Sequence, residues 1–291
     1  MEGLIIKAIS GFYYVESAGR VYECKARGIF RKRGISPAVG DRAEISLTDE
    51  DKAQVENILP RKNYLVRPPL ANLDRLFIVS SAAQPSPNTF VIDKICAVAV
   101  SKDIEPVLVF TKTDLESAQE LAEIYTRSGF RAFTCSTEDN SGKDEILSLL
   151  SGKISAFTGN TGVGKSTLLN SLIPGLSIET GGISKKLGRG RHTTRSSELY
   201  HVGGGYVADT PGFSTVDIER YEIIRKDGLA DCFPDFEQYR NDCQFTGCSH
   251  VCEKGCAVIA AVAEGKIMPT RHKSYVRMYE EVRDIPDWKK V

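Results

Sequence analysis

Gly159-Asn160-Thr161-Gly162-Val163-Gly164-Lys165-Ser166 constrains this chain more than any other stretch, because it fits Gly-x-x-x-x-Gly-Lys-Ser over its full length. The apolar run Ile154–Phe157 precedes it, and Thr167–Leu172 continues it with helical spacing. A strand that turns through glycines into a helix aims backbone N–H groups and the positive end of the helix dipole at one point. That arrangement suits a phosphate. Lys165 can reach β- and γ-oxygens, and Ser166 can offer its hydroxyl to Mg²⁺, with Thr167 beside it. An ordinary glycine-rich turn would not need so long a pattern in this context.

Such a loop belongs on a parallel sheet, and the surrounding sequence supplies one. Leu76–Val79, Pro106–Phe110, Ala132–Cys135 and Ile154–Phe157 are short apolar runs, as expected for strands covered on both faces. Between them, Phe90–Val100, the Leu121/Ile124/Tyr125 set and Ile146–Leu150 carry helical spacing. This alternation reads as an α/β layer over residues 68–218.

Two further motifs end strands in this segment. Asp209-Thr210-Pro211-Gly212 follows Tyr206-Val207-Ala208. Asp209 can hold Mg²⁺ through a water, and the Gly212 N–H can meet a γ-phosphate. Thr111-Lys112-Thr113-Asp114 follows Val107–Phe110. The Asp114 carboxylate can accept from the ring N–H and the exocyclic amine of guanine, a donor pair that adenine lacks. Lys112 can lie over the base, and Ser136, after the next strand, completes a pocket from two loops.

The flanks differ. Residues 1–67 hold five short runs with strand character and glycine turns at Gly11 and Gly19, which suggests a small β-barrel. The whole chain is neutral, with 38 Lys+Arg against 38 Asp+Glu, so only local patches argue for a nucleic-acid partner. Residues 20–42 carry seven basic side chains against two acids, including Lys25, Arg27 and the run Arg31-Lys32-Arg33. Arg61, Lys62 and Arg67 form a second basic group around Tyr64. Residues 219–291 read as mostly helical, with a Tyr275/Tyr279 stripe assigned to packing and with Arg271, His272, Lys273 and Arg277 as a further basic contact.

Five of the eight cysteines crowd into that last segment. Cys243-x₄-Cys248-x-His250-x₅-Cys256 offers three thiolates and one imidazole, enough for a closed, structural tetrahedral site. Spacing alone leaves Cys248, Cys252 and Cys256 as alternatives. Cys232 matches no ligand and reads as packed beside Phe233. No stretch of 18 apolar residues occurs, and the N-terminus has no secretory leader pattern, so a place in the cytoplasm, away from membranes, is expected. A monomer is expected as well.

The order of motifs is the most specific feature: base recognition first, then the phosphate loop, then Asp-x-x-Gly. In this order, and in its Arg61-Lys62-Asn63 junction and Cys-His spacing, the chain resembles the bacterial ribosome small subunit-dependent GTPases over essentially its whole length. That resemblance implies a circularly permuted P-loop GTPase domain between an N-terminal OB-fold and a C-terminal mostly helical zinc-binding domain. It selects Cys243, Cys248, His250 and Cys256 as zinc ligands. It implies Mg²⁺-dependent GTP hydrolysis, GTP/GDP-controlled binding to the small subunit and its rRNA, and a role in late subunit maturation. Thr111 stands where most GTPases have Asn, which weakens one scaffold hydrogen bond but not the guanine contact.

Lys185–Arg195, with five basic residues and no acid, is switch I by position. It reads either as a solvated loop or as an RNA-phosphate contact. Thr193 or Thr194 supplies the second metal hydroxyl, Thr194 being the better match to the family. Phe213 occupies the place of the water-orienting glutamine, and an aromatic ring cannot orient water. His192, beside the threonines, is the candidate for that task, and contact with phosphate is its alternative. A guanine-nucleotide switch on RNA with little turnover is the competing reading of the whole chain.

Overall fold

A computed structural model describes residues 1–28, 30, 34–48, 51–173, 198–209 and 223–286. The N-terminal strands are β1 (Glu2–Ile9), β2 (Phe12–Ser17), β3 (Arg20–Ala26), β4 (Arg42–Leu47) and β5 (Lys52–Ile58). The turns Ser10-Gly11 and Ala18-Gly19 take positive φ, 51° and 84° then 51° and 77°, as tight two-residue hairpins require. The strands pair in the order β1-β2-β3-β5-β4, and β4 returns to β1 through Glu2↔Glu44, Gly3↔Ala43 and Leu4↔Arg42. The ring is closed, so the expected barrel is present. Ile5, Val15, Tyr22, Cys24, Ile45 and Val55 fill it. Gly3 permits the closure, because a Cβ there would lie 2.6 Å from the Glu16 carbonyl oxygen.

A junction follows, with the short pair β6 (Tyr64–Leu65) and β7 (Leu70–Ala71). Of the second basic group, Arg61 turns inward, while Lys62 and Arg67 stay exposed. Arg61 donates to both oxygens of fully buried Asp41, at 2.7 and 2.8 Å, and lies over the Tyr64 ring. Lys62 is shared between Asp74 and Asp103 at 3.8 and 3.7 Å. These pairs lock the junction to the barrel on one side and to the following sheet on the other.

The α/β layer comprises β8 (Arg75–Ser81), α1 (Thr89–Ser101), β9 (Glu105–Thr111), α2 (Gln119–Arg127), β10 (Arg131–Thr134), α3 (Lys143–Leu150), β11 (Ile154–Thr158), α4 (Lys165–Leu172), β12 (Glu198–Val202) and β13 (Gly205–Asp209). The strand order is β10-β9-β8-β11-β13-β12, parallel except for β12 at the edge. Alternation along β8 explains the layers. Leu76 and Ile78 pack towards α1 and α2, while Phe77 and Val79 pack towards α3 and α4. Asn88 caps α1 by accepting from the Val91 N–H at 3.2 Å. In space β11 sits between β8 and β13, although β8, β9 and β10 precede it in the chain. The second half of the sheet therefore comes first in sequence, which is the circular permutation read from the motif order.

Two features extend this layer. Lys7 of β1 pairs with Glu198 of β12, so barrel and parallel sheet share one eleven-stranded sheet. On the other flank, α5 (Lys226–Leu229), α6 (Ala257–Ala263) and α7 (Pro269–Val282) surround a core of Phe233, Phe236, Val258, Tyr275 and Met278. Cys232 is buried in the same core beside Phe233, and Tyr275 and Tyr279 pack there as read. Among the described residues, no helix is long and apolar enough to cross a membrane.

Arg271 joins α7 to α1. It is 1% exposed, meets Asp93 of α1 at 2.6 Å and Asp235 at 3.0 Å, and lies over the Phe233 ring. Burial holds the Asp93 carboxyl above the usual carboxylate range despite the guanidinium. Arg271 is thus removed from the basic surface to which its charge had assigned it. His272 is removed too, because its Nε2 meets the His250 carbonyl at 2.7 Å. Lys273 and Arg277 remain exposed, with Arg277 stacked on Phe90. Arg271→Ala leaves two carboxylates without their cation, and we expect a loss of about 3–5 kcal/mol in urea unfolding followed by circular dichroism. A change below about 1 kcal/mol, the range of exposed ion pairs, would show that Arg271 does not hold the two parts together.

Candidate nucleotide site and metal centre

The phosphate loop runs from the end of β11 to the start of α4. Gly159 passes so near β8 that a Cβ would lie 2.4 Å from the Val79 carbonyl oxygen. Gly164 takes φ 88° at the N-terminus of α4, a conformation costly for a side chain. Val163 is 3% exposed and packs into the core shared by β11 and α4, anchoring the loop from beneath. Asn160, Thr161, Gly162 and Thr167 are exposed, and Lys165 and Ser166 are half-buried at the first turn of the helix. The loop is therefore braced on its apolar side and presents its polar side outward.

The second loop leaves β9 at Thr111, and β10 ends beside it at Thr134. Buried Thr111 places its hydroxyl 2.5 Å from the Val163 carbonyl oxygen and 3.3 Å from that of Ser80. One hydroxyl hydrogen serves the shorter contact. Thr111 thus ties the base loop to the phosphate loop directly, so this scaffold contact is present with Thr in place of Asn. Lys112 adopts φ 58° and donates from Nζ to the Gln84 carbonyl at 2.6 Å, which lays its chain beside the phosphate loop. Asp114 Oδ1 accepts from buried Ser136 Oγ at 3.0 Å. The Ser136 N–H in turn donates to Ser141 Oγ at 3.1 Å. The structure therefore brings Thr111, Lys112, Asp114 and Ser136 together beside Gly159–Ser166, at the carboxyl ends of the central strands where α/β sheets hold ligands. Gln84 and Ser141 were not legible in the sequence, because each acts through a loop whose fold no motif announces.

The Asp209 backbone ends β13 opposite Glu198, one residue past the Ala156–Ala208 pair and at the same sheet edge as the phosphate loop. Gly212, Phe213, His192, Thr193, Thr194 and the basic run 185–195 lie outside the described residues. Arg31, Lys32 and Arg33 of the barrel also lie outside them.

The C-terminal cluster is tight. One ligand atom each from Cys243, Cys248, His250 and Cys256 lies within 4.8 Å of every other. Metal–sulfur bonds of about 2.3 Å and metal–nitrogen bonds of about 2.0 Å at tetrahedral angles place sulfurs about 3.8 Å apart and sulfur about 3.5 Å from nitrogen. Cys243 and Cys256 Sγ are 3.8 Å apart, and each is 3.5 Å from His250 Nδ1. The donor set fits a metal ion. Cys252 is exposed and stands apart from the cluster, although its spacing had left it open. Burial pushes the Cys248 thiol up to about 12 and raises that of Cys256.

Glu253 shapes the loop that carries these ligands. It accepts from the Ser249, Val251 and Cys252 N–H groups at 2.8, 3.0 and 3.1 Å and from the Ser249 hydroxyl. Burial works against its charge, but those donors prevail and bring its carboxyl down to about 2. Sequence reading missed Glu253, because an acid between cysteines reads as an exposed charge.

Comparison with known proteins agrees with this geometry. A family profile described as RsgA GTPase matches residues 58–219, and one described as RsgA N-terminal domain matches residues 2–55. The chain belongs to the RsgA GTPase family. A small ribosomal subunit biogenesis GTPase RsgA of Geobacillus sp. (strain WCH70) is 44% identical over 289 residues, covering 97% of this chain and 98% of that relative. The RsgA of Streptococcus pyogenes serotype M3 is 44% identical over 288 residues, covering 98% of this chain and 96% of that one. Among solved structures, YloQ, described as a circularly permuted GTPase, superposes with a TM-score of 0.81 at 36% identity, covering 97% of this chain and 95% of its own. YjeQ from Thermotoga maritima gives a TM-score of 0.81 at 32% identity, covering 98% of this chain and 99% of its own. The closed barrel, permuted sheet and C-terminal cluster described above are thus those of an RsgA GTPase.

The metal centre gives a direct test. Full-length protein should carry one equivalent of metal by emission spectroscopy, and Cys248→Ser should lose at least half of it while Cys252→Ser keeps it. Full retention in Cys248→Ser with loss in Cys252→Ser would move the ligand to Cys252.

Proposed function

We propose that this chain is a GTP hydrolase activated by the small ribosomal subunit, acting in late subunit maturation through nucleotide-controlled binding and release. The observation that carries the nucleotide half is the pairing of Asp114 and Ser136 beside a phosphate loop tied to the same strand end by Thr111. The subunit half rests on family membership and on the names of the RsgA relatives.

The chemistry divides among three units, 1–67, 68–218 and 219–291. In the middle unit, the Asp114 carboxylate accepts from guanine and Lys112 covers the base. The backbone of Gly159–Gly164 and the N-terminus of α4 receive the phosphates, and Lys165 balances their charge in the transition state. Mg²⁺, arriving with GTP, would draw charge from the β- and γ-phosphates. Ser166 and Thr194 would hold it directly, Asp209 through water, with Thr193 as the alternative to Thr194. Gly212 meets the γ-phosphate. His192 orients the attacking water, since Phe213 cannot.

Three thiolates and an imidazole in a closed set favour zinc, held for structure rather than catalysis. The barrel carries the rRNA face on Lys25, Arg27, Arg31, Lys32 and Arg33. Support for this is the local excess of positive charge on a closed small barrel. Arg27 is already paired with Glu56, which makes the contribution of the remaining four the larger. The protein works as a monomer in the cytoplasm.

The decisive experiment is GTP turnover with and without purified small subunits, for the native chain and for His192→Ala. Native turnover should rise at least about tenfold with small subunits alone, and His192→Ala should keep a low kcat at saturating subunit with KM for GTP nearly unchanged. Absence of stimulation would favour a binding switch with little turnover. Recovery of the native kcat by His192→Ala at high subunit concentration would make His192 an rRNA contact instead.

A further inference from the structure

The hairpin β12–β13 lies between the barrel and the nucleotide loops and touches both. Along one line of cross-strand partners, Lys7 of β1 faces Glu198 of β12, and Glu198 faces Asp209 at the end of β13. Lys7 Nζ meets the Glu198 carboxylate at 2.9 Å. A second line lies further along the hairpin. His201 and Tyr206 are cross-strand partners with ring centroids 4.4 Å apart, and both reach one barrel side chain, Glu16 of β2. Tyr206 Oη donates to Glu16 Oε2 at 2.8 Å, and His201 Nε2 lies 3.0 and 3.1 Å from the two carboxylate oxygens. Tyr206 also faces Ile154, the first residue of β11, whose far end becomes the phosphate loop.

This grip is stiff at both ends. Glu16 sits directly opposite Leu4 in the closed barrel, and its backbone carbonyl is the group that excludes any side chain at Gly3. Its side chain is 19% exposed, which leaves little room for other rotamers. Burial pushes the Tyr206 hydroxyl up to about 12 and the bond to Glu16 adds to the shift, so it remains a donor. On the other side, three consecutive backbone pairs, Ile154↔Tyr206, Ser155↔Val207 and Ala156↔Ala208, join β13 to β11. Nothing in nucleotide binding calls for a carboxylate from the barrel to hold this hairpin. The position of this contact is the notable feature: beside the apolar cluster that Leu4, Ile6 and Ala8 of β1 share with Leu199, Tyr206 and Ala208, it is a polar link from the barrel to the strand ending in Asp209, which lies next to the strand ending in the phosphate loop.

We propose that Glu16 is a positioning residue, through which the state of the barrel sets the hairpin β12–β13 and hence the groups around the γ-phosphate. The barrel then does more than hold RNA. Its docking is transmitted to the hydrolytic site through Glu16, Tyr206 and His201, with Lys7–Glu198 keeping the hairpin in register. This inference rests on the subunit-stimulated reading proposed above.

The test compares full-length native protein, Glu16→Ala, Glu16→Gln and Glu16→Ala combined with Tyr206→Phe. Glutamine keeps a carbonyl acceptor for the Tyr206 hydroxyl, so it serves as the rescue. For each protein, kcat and KM for GTP are measured without and with saturating small subunits. Subunit affinity by co-sedimentation and thermal melting are measured in parallel. Glu16→Ala should lose about fivefold or more of the stimulated kcat. Its subunit-free turnover, KM and subunit affinity should stay within about twofold of native. Glu16→Gln should recover most of the loss, and the double variant should be no worse than Glu16→Ala, since both changes break one contact. Full stimulation of Glu16→Ala overturns the proposal while leaving subunit activation intact. A kcat loss matched by equal loss of subunit binding, or by a lowered melting temperature that glutamine does not restore, overturns it as well. A native protein that subunits do not stimulate removes the functional reading and this inference together.

Discussion

The hydroxyl of Thr111, set against the Val163 carbonyl, is the contact on which the site depends. It links the end of β9 to the middle of the phosphate loop inside the protein, where few other groups could meet that carbonyl. A buried carbonyl left unpaired would cost about 1–3 kcal/mol and would let the loop move relative to the base pocket. With it in place, the loop after β9 and the loop after β11 are joined at one edge of the sheet. The permutation of the chain does not disturb that edge, because strand order in space, not in sequence, decides which loops are neighbours. The β11 strand lies between β8 and β13 whichever half is made first.

The same sheet carries a second consequence. Closing the barrel uses β4 to cover only the first residues of β1, and beyond them Lys7 is left to pair with β12. The barrel is therefore an extension of the nucleotide-binding sheet rather than a module on a free linker. Half-buried Arg61, paired with buried Asp41, and Lys62, shared by Asp74 and Asp103, reinforce the joint. On the opposite flank, Arg271 does the same between the metal-bearing region and α1. Of these basic residues only Arg271 is fully buried; Lys62 makes its pairs at the surface.

Those basic residues mark where sequence reading stopped. Motifs with a backbone mechanism were legible. Gly159–Ser166 and Thr111–Asp114 announce themselves because glycine, lysine and a carboxylate at fixed spacing have few other uses. The strands and helices of the layer followed from apolar periodicity, and the barrel from short runs broken at Gly11 and Gly19. Charge was not legible in the same way. Arg61, Arg271 and His272 looked like surface groups in the sequence, and burial beside Asp41, Asp93 and the His250 carbonyl assigns them otherwise. Glu253 and Glu16 show the converse. Glu16 meets donors from some 185 residues away, and Glu253 meets those of its own loop, Ser249, Val251 and Cys252, whose turn no sequence pattern announces. The choice of Cys256 and Cys248 over Cys252 is similar, since spacing allows all three and only the fold of the loop turns Cys252 outward.

The central claim is that Asp114, held by Ser136 on the edge that Thr111 fixes, reads guanine. Equilibrium binding of GTP and xanthosine triphosphate to the native chain and to Asp114→Asn tests it most directly. Xanthine keeps the ring N–H but carries a carbonyl in place of the exocyclic amine, so the loss of one charge-assisted hydrogen bond, roughly 1.5–3 kcal/mol, gives the native chain a preference for GTP of about 10- to 100-fold. Exchanging the carboxylate for an amide matches the carbonyl of xanthine instead, and the preference should reverse. A preference for GTP that survives Asp114→Asn unchanged would contradict the account, because the base would then be read by some other part of the molecule.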